Sequence, residues 1–365
     1  MNMLKAGLCV LGTLVVGERG AALDLSDLTI EPIVENLRAP WSFGFLPGGA
    51  LLITERKGRL RYVAADGTRH SVSGVPKVQT DGQGGLLDVL IPRDFSQRRE
   101  IFLTFSKKQR GGSGTAVARG QLGPDGKSLS NVSVIFEIAE GSSGGRHFGS
   151  RLVEAPDGHL FVSVGDRGDM HAAQDLDRHN GSILRITRDG RPVSDNPFYG
   201  SNTAMPEIWT SGHRNPQGMS LDLTGQLWAV EHGAKGGDEV NRVRKGANYG
   251  WPIISYGRHY AGTKIGEGTH KAGMEQPAYY WDPSIAPSGM AIYSGKLWPE
   301  WRGALMIGSL KFDYISVLSG DTLTEKHQIE TRETKRVRDI REGPNGGLWF
   351  LSEDRGTLYR ITPSD

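Results

Sequence analysis

The stretch RLVEAPDGHLFVSVGDRG at residues 151–168 decides the fold, because it places two short apolar runs on either side of an Asp-Gly pair. Asp-Gly between alternating apolar residues is a strong short-range signal of a tight β-hairpin. A third apolar run, GSILRI at residues 181–186, follows after a polar connection. This part of the chain therefore predicts an antiparallel sheet of at least three strands.

The same hairpin pattern occurs six times. The other copies are WSFGFLPGGALLITERKGRLRYV from Trp41, LLDVLIPRDFSQRREIFLTFSKK from Leu86, MSLDLTGQLWAVEHG from Met219, MAIYSGKLWPEWRGALMIGSLK from Met290 and VRDIREGPNGGLWFLSEDRGTLYRI from Val337. Repeats of roughly 45 to 70 residues with three or four short strands are typical of propeller blades. We therefore predict an all-β fold, a six-bladed β-propeller with four-stranded antiparallel blades, as one domain over residues 23–365.

Two other all-β architectures fit less well. A sandwich rarely needs this many equivalent hairpins, and the repeats of a β-helix are much shorter. The long segments 168–218 and 252–289 are predicted to be inter-blade connections, and long connections in compact domains often carry function.

Composition excludes several functional classes. Gly accounts for 51 of the 365 residues, about twice the usual ~7%, as many tight turns require. Lys and Arg total 43 against 41 Asp and Glu, which lacks the basic excess of a nucleic-acid-binding protein. The only cysteine, Cys9, lies in an N-terminal stretch predicted to be removed. The mature chain would then have neither disulfides nor thiolate metal sites.

The N-terminus has the features of a secretory signal peptide in their usual order. Lys5 precedes an apolar run at residues 6–16, and the small residues Ala21 and Ala22 follow. We predict that residues 1–22 are a signal peptide and that the protein is periplasmic or secreted; a frayed tail or a first strand is the alternative. The apolar run is shorter than the roughly 20 residues of a membrane span, and no span is predicted later in the chain.

Polar residues are concentrated where first strands begin and second strands end. These two positions lie at the same end of an up-and-down blade, so we expect their side chains to converge around one mouth of the central channel. They are Gln83, Arg146, His147, His213, Arg214, Asn215, Arg336 and Arg338 before first strands, and Glu55, Asp166, Glu231, His232, Gly233, Lys311 and Glu353 after second strands.

Four of these residues are cations: Arg214, Lys311, Arg336 and Arg338. Because guanidinium groups pair with carboxylates in a bidentate manner, the set predicts a multiply anionic ligand such as a tricarboxylate or a phosphate. For any one of them, Arg336 above all, an inter-blade salt bridge is the alternative.

Two further groups suggest chemistry at this mouth. His147 and Asp166 bracket one hairpin, an arrangement that lets a carboxylate orient an imidazole as a general base, although such pairs are also common in purely structural ion networks. GGDEVN at residues 236–241 offers hard oxygen ligands of the kind that Ca²⁺ prefers. The sequence has no EF-hand spacing, no HExxH and no phosphate-binding glycine loop before a helix.

Residues 28–362 resemble the soluble quinoprotein sugar dehydrogenases, the glucose and sorbosone dehydrogenase family. The motifs that carry the resemblance are, in chain order, LRAPWSFGFLPGG, GQGGLLDVLI, GGRHFGSRLV, FVSVGDRG, EIWTSGHRNPQGM, EHGAKGGDEVN, GANYGWP, SIAPSGM, SLKFD and RVRDI. The resemblance implies oxidation of an aldose at C1 with pyrroloquinoline quinone (PQQ) and Ca²⁺ as cofactors, and an external electron acceptor of unknown identity.

The resemblance also implies roles for individual residues. His147 would be the base that takes the proton of the anomeric hydroxyl, Asp166 its orienting partner, and Arg214 a group that stabilises negative charge on the quinone. The residues at positions that hold the quinone are Gln83, Arg214, Asn215, Lys311, Arg336 and Arg338.

For the metal, the resemblance implies backbone carbonyl ligands at Gly233 and Ala234 for the cofactor calcium. Asp238, Glu239 and Tyr249 match a region associated with a structural calcium. Trp281 lies where the family has an aromatic wall beside the sugar, or else it packs within its own loop.

Two other functions remain open from the residues alone. A calcium-dependent lactonase-type hydrolase is also built on six-bladed propellers, and a non-catalytic propeller binding module needs no active site. The predicted partners are an aldose substrate and an electron acceptor, without nucleic acid, and the protein is expected to be a monomer or a homodimer.

Overall fold

The structure is a computed structural model that describes residues 25–364. The predicted signal peptide at residues 1–22 lies outside the described residues and stays a prediction. None of the helices between residues 25 and 364 has the length and apolar character needed to cross a membrane. In this range the helical elements are one short α-helix, α1 (Phe95–Arg98), and the 3-10 turns Leu25–Asp27, Pro47–Gly49, Met170–Gln174 and Pro299–Trp301.

The strands form six antiparallel sheets of four strands each. β1 (Leu28–Val34) is the first strand in the chain. Blade 1 contains β2 (Pro40–Phe45), β3 (Leu51–Glu55), β4 (Arg59–Val63) and β5 (Arg69–Val72). Blade 2 contains β6 (Leu86–Leu90), β7 (Glu100–Gln109), β8 (Gly112–Leu122) and β9 (Leu129–Glu137). Blade 3 contains β10 (Leu152–Glu154), β11 (Leu160–Val164), β12 (Ser182–Ile186) and β13 (Ile208–Thr210).

The second half of the ring has the same organisation. Blade 4 contains β14 (Pro216–Leu221), β15 (Leu227–Glu231), β16 (Asp238–Arg242) and β17 (Tyr279–Trp281). Blade 5 contains β18 (Pro287–Ile292), β19 (Leu305–Ser309), β20 (Tyr314–Ser319) and β21 (Thr324–Glu330). Blade 6 contains β22 (Val337–Glu342), β23 (Leu348–Ser352) and β24 (Thr357–Pro363), completed by β1. The predicted six-bladed propeller with four-stranded antiparallel blades is confirmed.

The ring closes by pairing the two ends of the described chain. β1 is the outer strand of blade 6 and runs antiparallel to β24, with Leu28 opposite Pro363 and Ile30 opposite Ile361. Because β1 leads directly into blade 1, this pairing ties blade 1 to blade 6, and the ring has no open seam between these two blades. Closure of this kind protects the edges that an open stack of sheets would expose.

The blades pack face to face through their middle strands. β3, β11 and β19 are buried along their whole length, because a second strand has a neighbouring blade on each side. The outermost strands alternate instead, and in β21 only Ile329 is buried. The alternation follows from the period of two of a strand with one solvated face.

The predicted inter-blade connections at 168–218 and 252–289 also contain strands that the sequence did not indicate. Besides β12, which the run GSILRI predicted, they hold the fourth strands of blades 3 and 4, β13 and β17. Both fourth strands have only three residues and lie at the outer edge, so they give no extended apolar alternation in the sequence.

The first strands of neighbouring blades contact one another, so they are innermost and line the central channel. A buried ion network joins them across it. Arg151 pairs with Asp88 at 3.2 Å and with Asp339 at 3.0 Å, and Arg341 pairs with the same two carboxylates at 2.9 and 3.1 Å. Removing one member of such a buried network typically costs about 3–5 kcal/mol, because its partners are left as unpaired buried charges. The network holds the inner strands of blades 2, 3 and 6 in a fixed arrangement.

Candidate active site

Strand pairing brings the candidate site residues to one end of the channel. In each blade the start of the first strand lies beside the end of the second: Pro216 is opposite Glu231, and Val337 is opposite Ser352. Residues that precede a first strand and residues that follow a second strand therefore share one mouth. One detail differs from the sequence reasoning, since Arg338 lies within β22 and not before it.

His147 and Asp166 are in direct contact at this mouth. His147 Nδ1 lies 2.6 Å from Asp166 Oδ1. The second carboxylate oxygen, Oδ2, accepts a hydrogen bond from the indole N–H of Trp251 at 2.9 Å, and the Gly168 N–H donates to Oδ1 at 2.7 Å. The carboxylate is therefore fixed on both oxygens. With Nδ1 held by Asp166, the other ring nitrogen, Nε2, is the one left to act on a substrate.

The backbone around His147 is built to turn the ring toward the channel. His147 has a φ of 54°, in the left-handed region that few non-glycine residues adopt. Its N–H donates to Gln83 Oε1 at 2.8 Å, which holds this conformation from the neighbouring blade. Gly165 passes so close that a Cβ there would lie 2.2 Å from the His147 carbonyl oxygen. Only glycine is compatible with that approach.

Burial and neighbouring charges set the protonation of this pair. Burial lowers the pKa of His147 below its ordinary value of 6.5 and the Arg214 charge acts in the same direction, while the hydrogen bond to Asp166 opposes both. Burial alone would raise the pKa of Asp166, but the hydrogen bonds from His147 and Gly168 bring it below its ordinary value. At neutral pH the pair is thus a neutral imidazole beside an ionised carboxylate, which is the state of a general base.

Arg214 is a buried cation without a carboxylate partner in the described part of the chain. The residue is only 7% exposed, and its Nη1 donates to the His232 carbonyl at 3.3 Å. The guanidinium carbon lies 5.3 Å from the centre of the Trp251 ring. Its backbone N–H donates to Glu231 at 2.7 Å, so the carboxylate binds the main chain and not the charged head. A buried positive charge in this condition is costly unless an anion pairs with it.

Asn215 and Gln83 lie on either side of the His147 segment. The Asn215 side-chain oxygen accepts a hydrogen bond from the Gly149 N–H at 3.1 Å, two residues beyond His147. Gln83 is exposed at the mouth and contacts the His147 backbone. Both amides therefore hold the backbone of the segment that carries the imidazole.

The remaining cations differ from one another in their pairing. Lys311 is exposed, its Nζ lies 4.8 Å from the centre of the Phe312 ring, and no carboxylate of residues 25–364 pairs with it. Arg336 and Arg338 share the Glu353 carboxylate, at 3.3 and 2.9 Å. Arg336 thus forms a salt bridge, as the alternative interpretation expected. The bridge lies within blade 6, however, and does not join two blades. Arg214 and Lys311 are therefore the two of these four cations that form no salt bridge within the described residues.

His232 connects these groups. Its Nε2 donates to the Pro287 carbonyl at 2.7 Å. Burial lowers the pKa of His232 to about 3, and the charges of Arg214 and Arg338 contribute in the same direction. Its ring is therefore neutral and lies within the electrostatic reach of both cations. The sequence assigned no role to His232 or to Trp251. Their contacts are with residues far away in the chain, and no local sequence pattern indicates such contacts.

The loop after β15 holds the candidate metal residues. The Asp238 carboxylate accepts hydrogen bonds from the Gly233 N–H at 2.8 Å, from the Ser284 hydroxyl at 2.7 Å and from the Ala286 N–H at 2.8 Å. Asp238 thus shapes the turn that carries Gly233 and Ala234. The Tyr249 hydroxyl donates to the Arg242 carbonyl at 2.5 Å. The side chains of Asp238 and Tyr249 therefore hold the backbone in place through hydrogen bonds.

Glu239 and Glu231 form a close pair of carboxylates beneath this loop. Asn241 Nδ2 donates to Glu231 at 3.1 Å and to Glu239 at 3.2 Å. Burial raises the pKa of Glu239 to about 8, and the Glu231 charge adds to it. Both residues line one small cavity together with Gly233 and Tyr249. Within residues 25–364 no three His, Cys, Asp or Glu side chains are grouped as a metal site.

Trp281 is buried in β17, at 5% exposure, and packs in the apolar cluster between blades 4 and 5. Its indole N–H points to Glu325 at 3.4 Å. Of the two interpretations of this residue, the structure favours packing over an exposed aromatic wall.

Comparison with known proteins places the chain in a family. The model of the Glucose / Sorbosone dehydrogenase family matches residues 37–360. The aldose sugar dehydrogenase YliI of Escherichia coli (strain K12) is 43% identical over 345 residues, which cover 92% of this chain and 93% of that protein. The quinoprotein glucose dehydrogenase B of Acinetobacter calcoaceticus is 28% identical over 90% of this chain and 86% of its own length.

A solved structure agrees with these sequence matches. The crystal structure of the soluble aldose sugar dehydrogenase of Escherichia coli in its apo form has a TM-score of 0.89 and 41% identity, covering 92% of this chain and all of that one. The fold, the family match and the level of identity over nearly the whole length point the same way. The chain is an oxidoreductase and belongs to the Glucose / Sorbosone dehydrogenase family.

Proposed function

We propose that this protein oxidises aldose sugars at C1 to the lactone, with PQQ and Ca²⁺ as cofactors and an external acceptor for the electrons. The observation that carries the proposal is a buried guanidinium without a salt-bridge partner in the described chain, Arg214, beside the neutral imidazole of His147, which the ionised Asp166 holds. A cation in this setting requires an anion, and a neutral imidazole beside it can take up a proton.

The donors around the mouth fit PQQ. The cofactor carries three carboxylates, and the chain offers Arg214 and Lys311 without carboxylate partners in its described part. Arg336 and Arg338 share Glu353, and Arg336 also lies 3.5 Å from Asp354. Gln83 and Asn215 supply side-chain amides at the same mouth. Arginine suits this task because its planar fork binds carboxylates through two parallel hydrogen bonds.

The loop after β15 fits calcium. Gly233 and Ala234 present backbone carbonyls in a turn held by Asp238, and hard oxygen ligands of this kind are those that Ca²⁺ prefers. The nearby carboxylates of Glu231 and Glu239 repel each other, and a divalent cation at Glu239 and Tyr249 would relieve that repulsion. We propose Gly233 and Ala234 for the cofactor calcium and Glu239 for the structural one. Asp238 and Tyr249, whose side chains bind the backbone, would shape that second site.

His147 would start the reaction by removing a proton. Its Nε2 accepts the proton of the anomeric hydroxyl, while Asp166 holds the Nδ1 proton and stabilises the imidazolium that forms. When bound, PQQ supplies the acceptor for the hydride that leaves C1 as the carbonyl of the lactone forms. Arg214 would stabilise the negative charge that develops in this step.

The two other functions account for less of the site. A lactonase of the propeller type binds its metal through carboxylates and would not need the four cations at this mouth. A non-catalytic binding module would need neither an imidazole held by a carboxylate nor a buried guanidinium without a salt bridge beside it. Export to the periplasm or the medium, proposed from residues 1–22, agrees with oxidation of sugars outside the cytoplasm.

The pH dependence of turnover tests the proposed base. Because burial and the Arg214 charge hold the pKa of His147 below 6.5, the active, neutral form is fully present above that pH and is lost as the pH falls through the folded-state pKa. We expect kcat/KM with an aldose to be flat around neutrality and to fall about tenfold per pH unit on the acid side. Steady-state rates of the protein supplied with PQQ and Ca²⁺ provide the measurement.

The charged and titratable groups facing His147 are Asp166, Arg214, Arg146 and His232. Far-ultraviolet circular dichroism at each pH separates loss of the base from loss of the fold. An acid limb centred above pH 6.5 in a folded protein would contradict the assignment of His147 as a neutral base.

A further inference from the structure

Arg167 is a fully buried arginine that the proposed reaction does not use. It lies between Asp166 and Gly168 at the active-site mouth, yet the residue is only 1% exposed. Its Nε is buried without a hydrogen-bond partner in the described part of the chain. Burial lowers the pKa of the guanidinium to about 10, so the group is still a cation at neutral pH. A buried charge of this kind lowers stability, and stability alone therefore does not account for an arginine at this position.

The Arg167 side chain contacts both neighbours of His147. Its Nη1 donates to the carbonyl of Arg146, the residue before His147. Its guanidinium carbon lies 3.4 Å from the ring centre of Phe148, the residue after it. The other terminal nitrogen, Nη2, donates to the Ser113 carbonyl in β8 at 3.1 Å and anchors the guanidinium to blade 2. One side chain from the loop after β11 thus braces the His147 segment on both sides.

The contact with Arg146 acts on the peptide plane that adjoins the φ rotation of His147. The Arg146 carbonyl and the His147 N–H belong to the same planar unit. Arg167 binds its carbonyl, and Gln83 accepts a hydrogen bond from its N–H at 2.8 Å. The plane is therefore held at both ends. The φ of 54° at His147 is unfavourable for a residue with a Cβ and persists only where the surroundings enforce it.

The loop that contains Arg167 also carries the partner of the imidazole. Asp166 directly precedes Arg167, and the Gly168 N–H on the other side donates to Asp166 Oδ1 at 2.7 Å. The Ser142 hydroxyl donates to the Arg167 carbonyl at 3.2 Å and ties the two segments together a second time. Arg167 therefore joins the segments that bring His147 Nδ1 within 2.6 Å of Asp166 Oδ1.

We propose that Arg167 is a positioning residue for the general base, which keeps His147 Nε2 aimed at the anomeric hydroxyl without touching the sugar or the cofactor. The proposal rests on the proposed function, because it takes the base and its substrate from it. Misplacement of a catalytic group by about 1 Å can cost about 10²-fold in rate. Since both terminal nitrogens of Arg167 bind backbone carbonyls, we expect the residue to affect the rate and not the affinity for PQQ.

Arg167→Met tests the kinetic part of the proposal. Methionine keeps an apolar side chain against the Phe148 ring but has neither the charge nor the two donors. We expect kcat for aldose oxidation with PQQ and Ca²⁺ to fall by about 10- to 100-fold, while KM and the affinity for PQQ stay nearly unchanged. Arg167→Lys keeps the charge and one contact with a carbonyl, so it should restore part of kcat.

Arg99→Met is the matched control. Arg99 also donates to two backbone carbonyls, those of Leu122 and Gly123, both at 2.8 Å. Its guanidinium carbon lies 5.2 Å from the centre of the Phe95 ring, and its φ of 53° is left-handed as well. It lies in the connection between β6 and β7, at the end of blade 2 opposite the mouth. This variant should keep kcat. An equal fall of kcat in Arg99→Met and Arg167→Met would show that Arg167 acts only through the stability of the fold.

Proton NMR of the cofactor-free protein tests the positioning role without any turnover. A proton in the short hydrogen bond between His147 Nδ1 and Asp166 is strongly deshielded and gives a far-downfield signal, which His147→Asn identifies by its absence. We expect this signal to shift upfield or to be lost by exchange with water in Arg167→Met, to shift in Arg167→Lys, and to persist in Arg99→Met. If Arg167→Met does not fold, Arg167→Lys decides the question.

The two experiments separate failure of the positioning role from failure of the proposed function. Loss of the downfield signal in Arg167→Met, together with no sugar oxidation by the unaltered protein, would retain Arg167 as the residue that positions the pair and refute the proposed function. An unchanged signal in both Arg167 variants would refute the positioning role, whatever their kcat. Absence of the signal from the unaltered protein would refute it as well.

Discussion

His147→Asn should lower kcat for aldose oxidation by about 10²–10⁴-fold, the usual contribution of a positioned general base, and leave PQQ binding nearly unchanged. Asparagine is similar in size and its polar side chain is compatible with the position beside Asp166. It cannot, however, take up the proton of the anomeric hydroxyl. Steady-state kinetics give kcat, and titration of the protein with PQQ followed by absorbance gives the affinity for the cofactor.

His159→Asn is the matched control for this experiment. His159 also pairs with an aspartate, Asp157, at 3.1 Å, but it lies in the hairpin turn between β10 and β11, at the opposite end from the active-site mouth. This variant should keep full activity. Equal losses of turnover and of PQQ binding in His147→Asn would show that the histidine is structural, and unchanged turnover would place the base elsewhere.

Arg214→Ala should lower kcat/KM by about 10²–10³-fold, the usual effect of removing one group that stabilises developing charge. The same variant should also bind PQQ more weakly, because the buried guanidinium without a carboxylate partner is the cation that the cofactor's carboxylates would pair with. In the cofactor-free protein the expected effect on stability has the opposite sign. Removal of a buried charge that has no salt bridge in the described chain relieves its desolvation cost, so Tm should stay the same or rise.

Arg185→Ala provides the contrast. Arg185 is a buried arginine stacked on a tryptophan, Trp209, with its centre 5.0 Å away, but it pairs with Asp157 and Asp195. Its removal takes away the salt bridge of Asp195, leaves Asp157 with His159 alone, and removes the packing on Trp209. It should therefore lower Tm in thermal unfolding without cofactors. If Arg214→Ala instead lowers Tm as much as Arg185→Ala and leaves kcat/KM intact, Arg214 is a structural residue and the proposed anion site is wrong.

The blades could be predicted from the sequence because their hairpins are local. An Asp-Gly or Gly-Gly pair between two apolar runs determines a turn within a few residues, and six such signals suffice for a propeller. The closing strand β1 was not predicted. Its partner β24 lies more than three hundred residues away, so no turn residue links the two, and the sequence LTIEPIV resembles any amphipathic edge strand. The short outer strands β13 and β17 were missed for a similar reason.

The candidate site could be predicted in part. Blade geometry alone brought His147 near Asp166 and located the cations at one mouth, because the ends of paired strands must coincide. The partners of these groups required the structure. Nothing in the sequence shows that Glu353 pairs with Arg336 and Arg338 while Arg214 has only a backbone carbonyl, or that the indole of Trp251 holds Asp166 from 85 positions away. Such contacts depend on side-chain packing between blades.

The central claim, that the chain oxidises aldoses with PQQ and Ca²⁺, is tested most directly by dye-linked oxidation of a panel of aldoses by the purified protein. The assay is run without additions, with PQQ alone, with Ca²⁺ alone and with both. We predict activity only when both are present. No oxidation of any sugar with both cofactors, together with no binding of the quinone by absorbance, would contradict the account, and the cations at the channel mouth would then serve another anion.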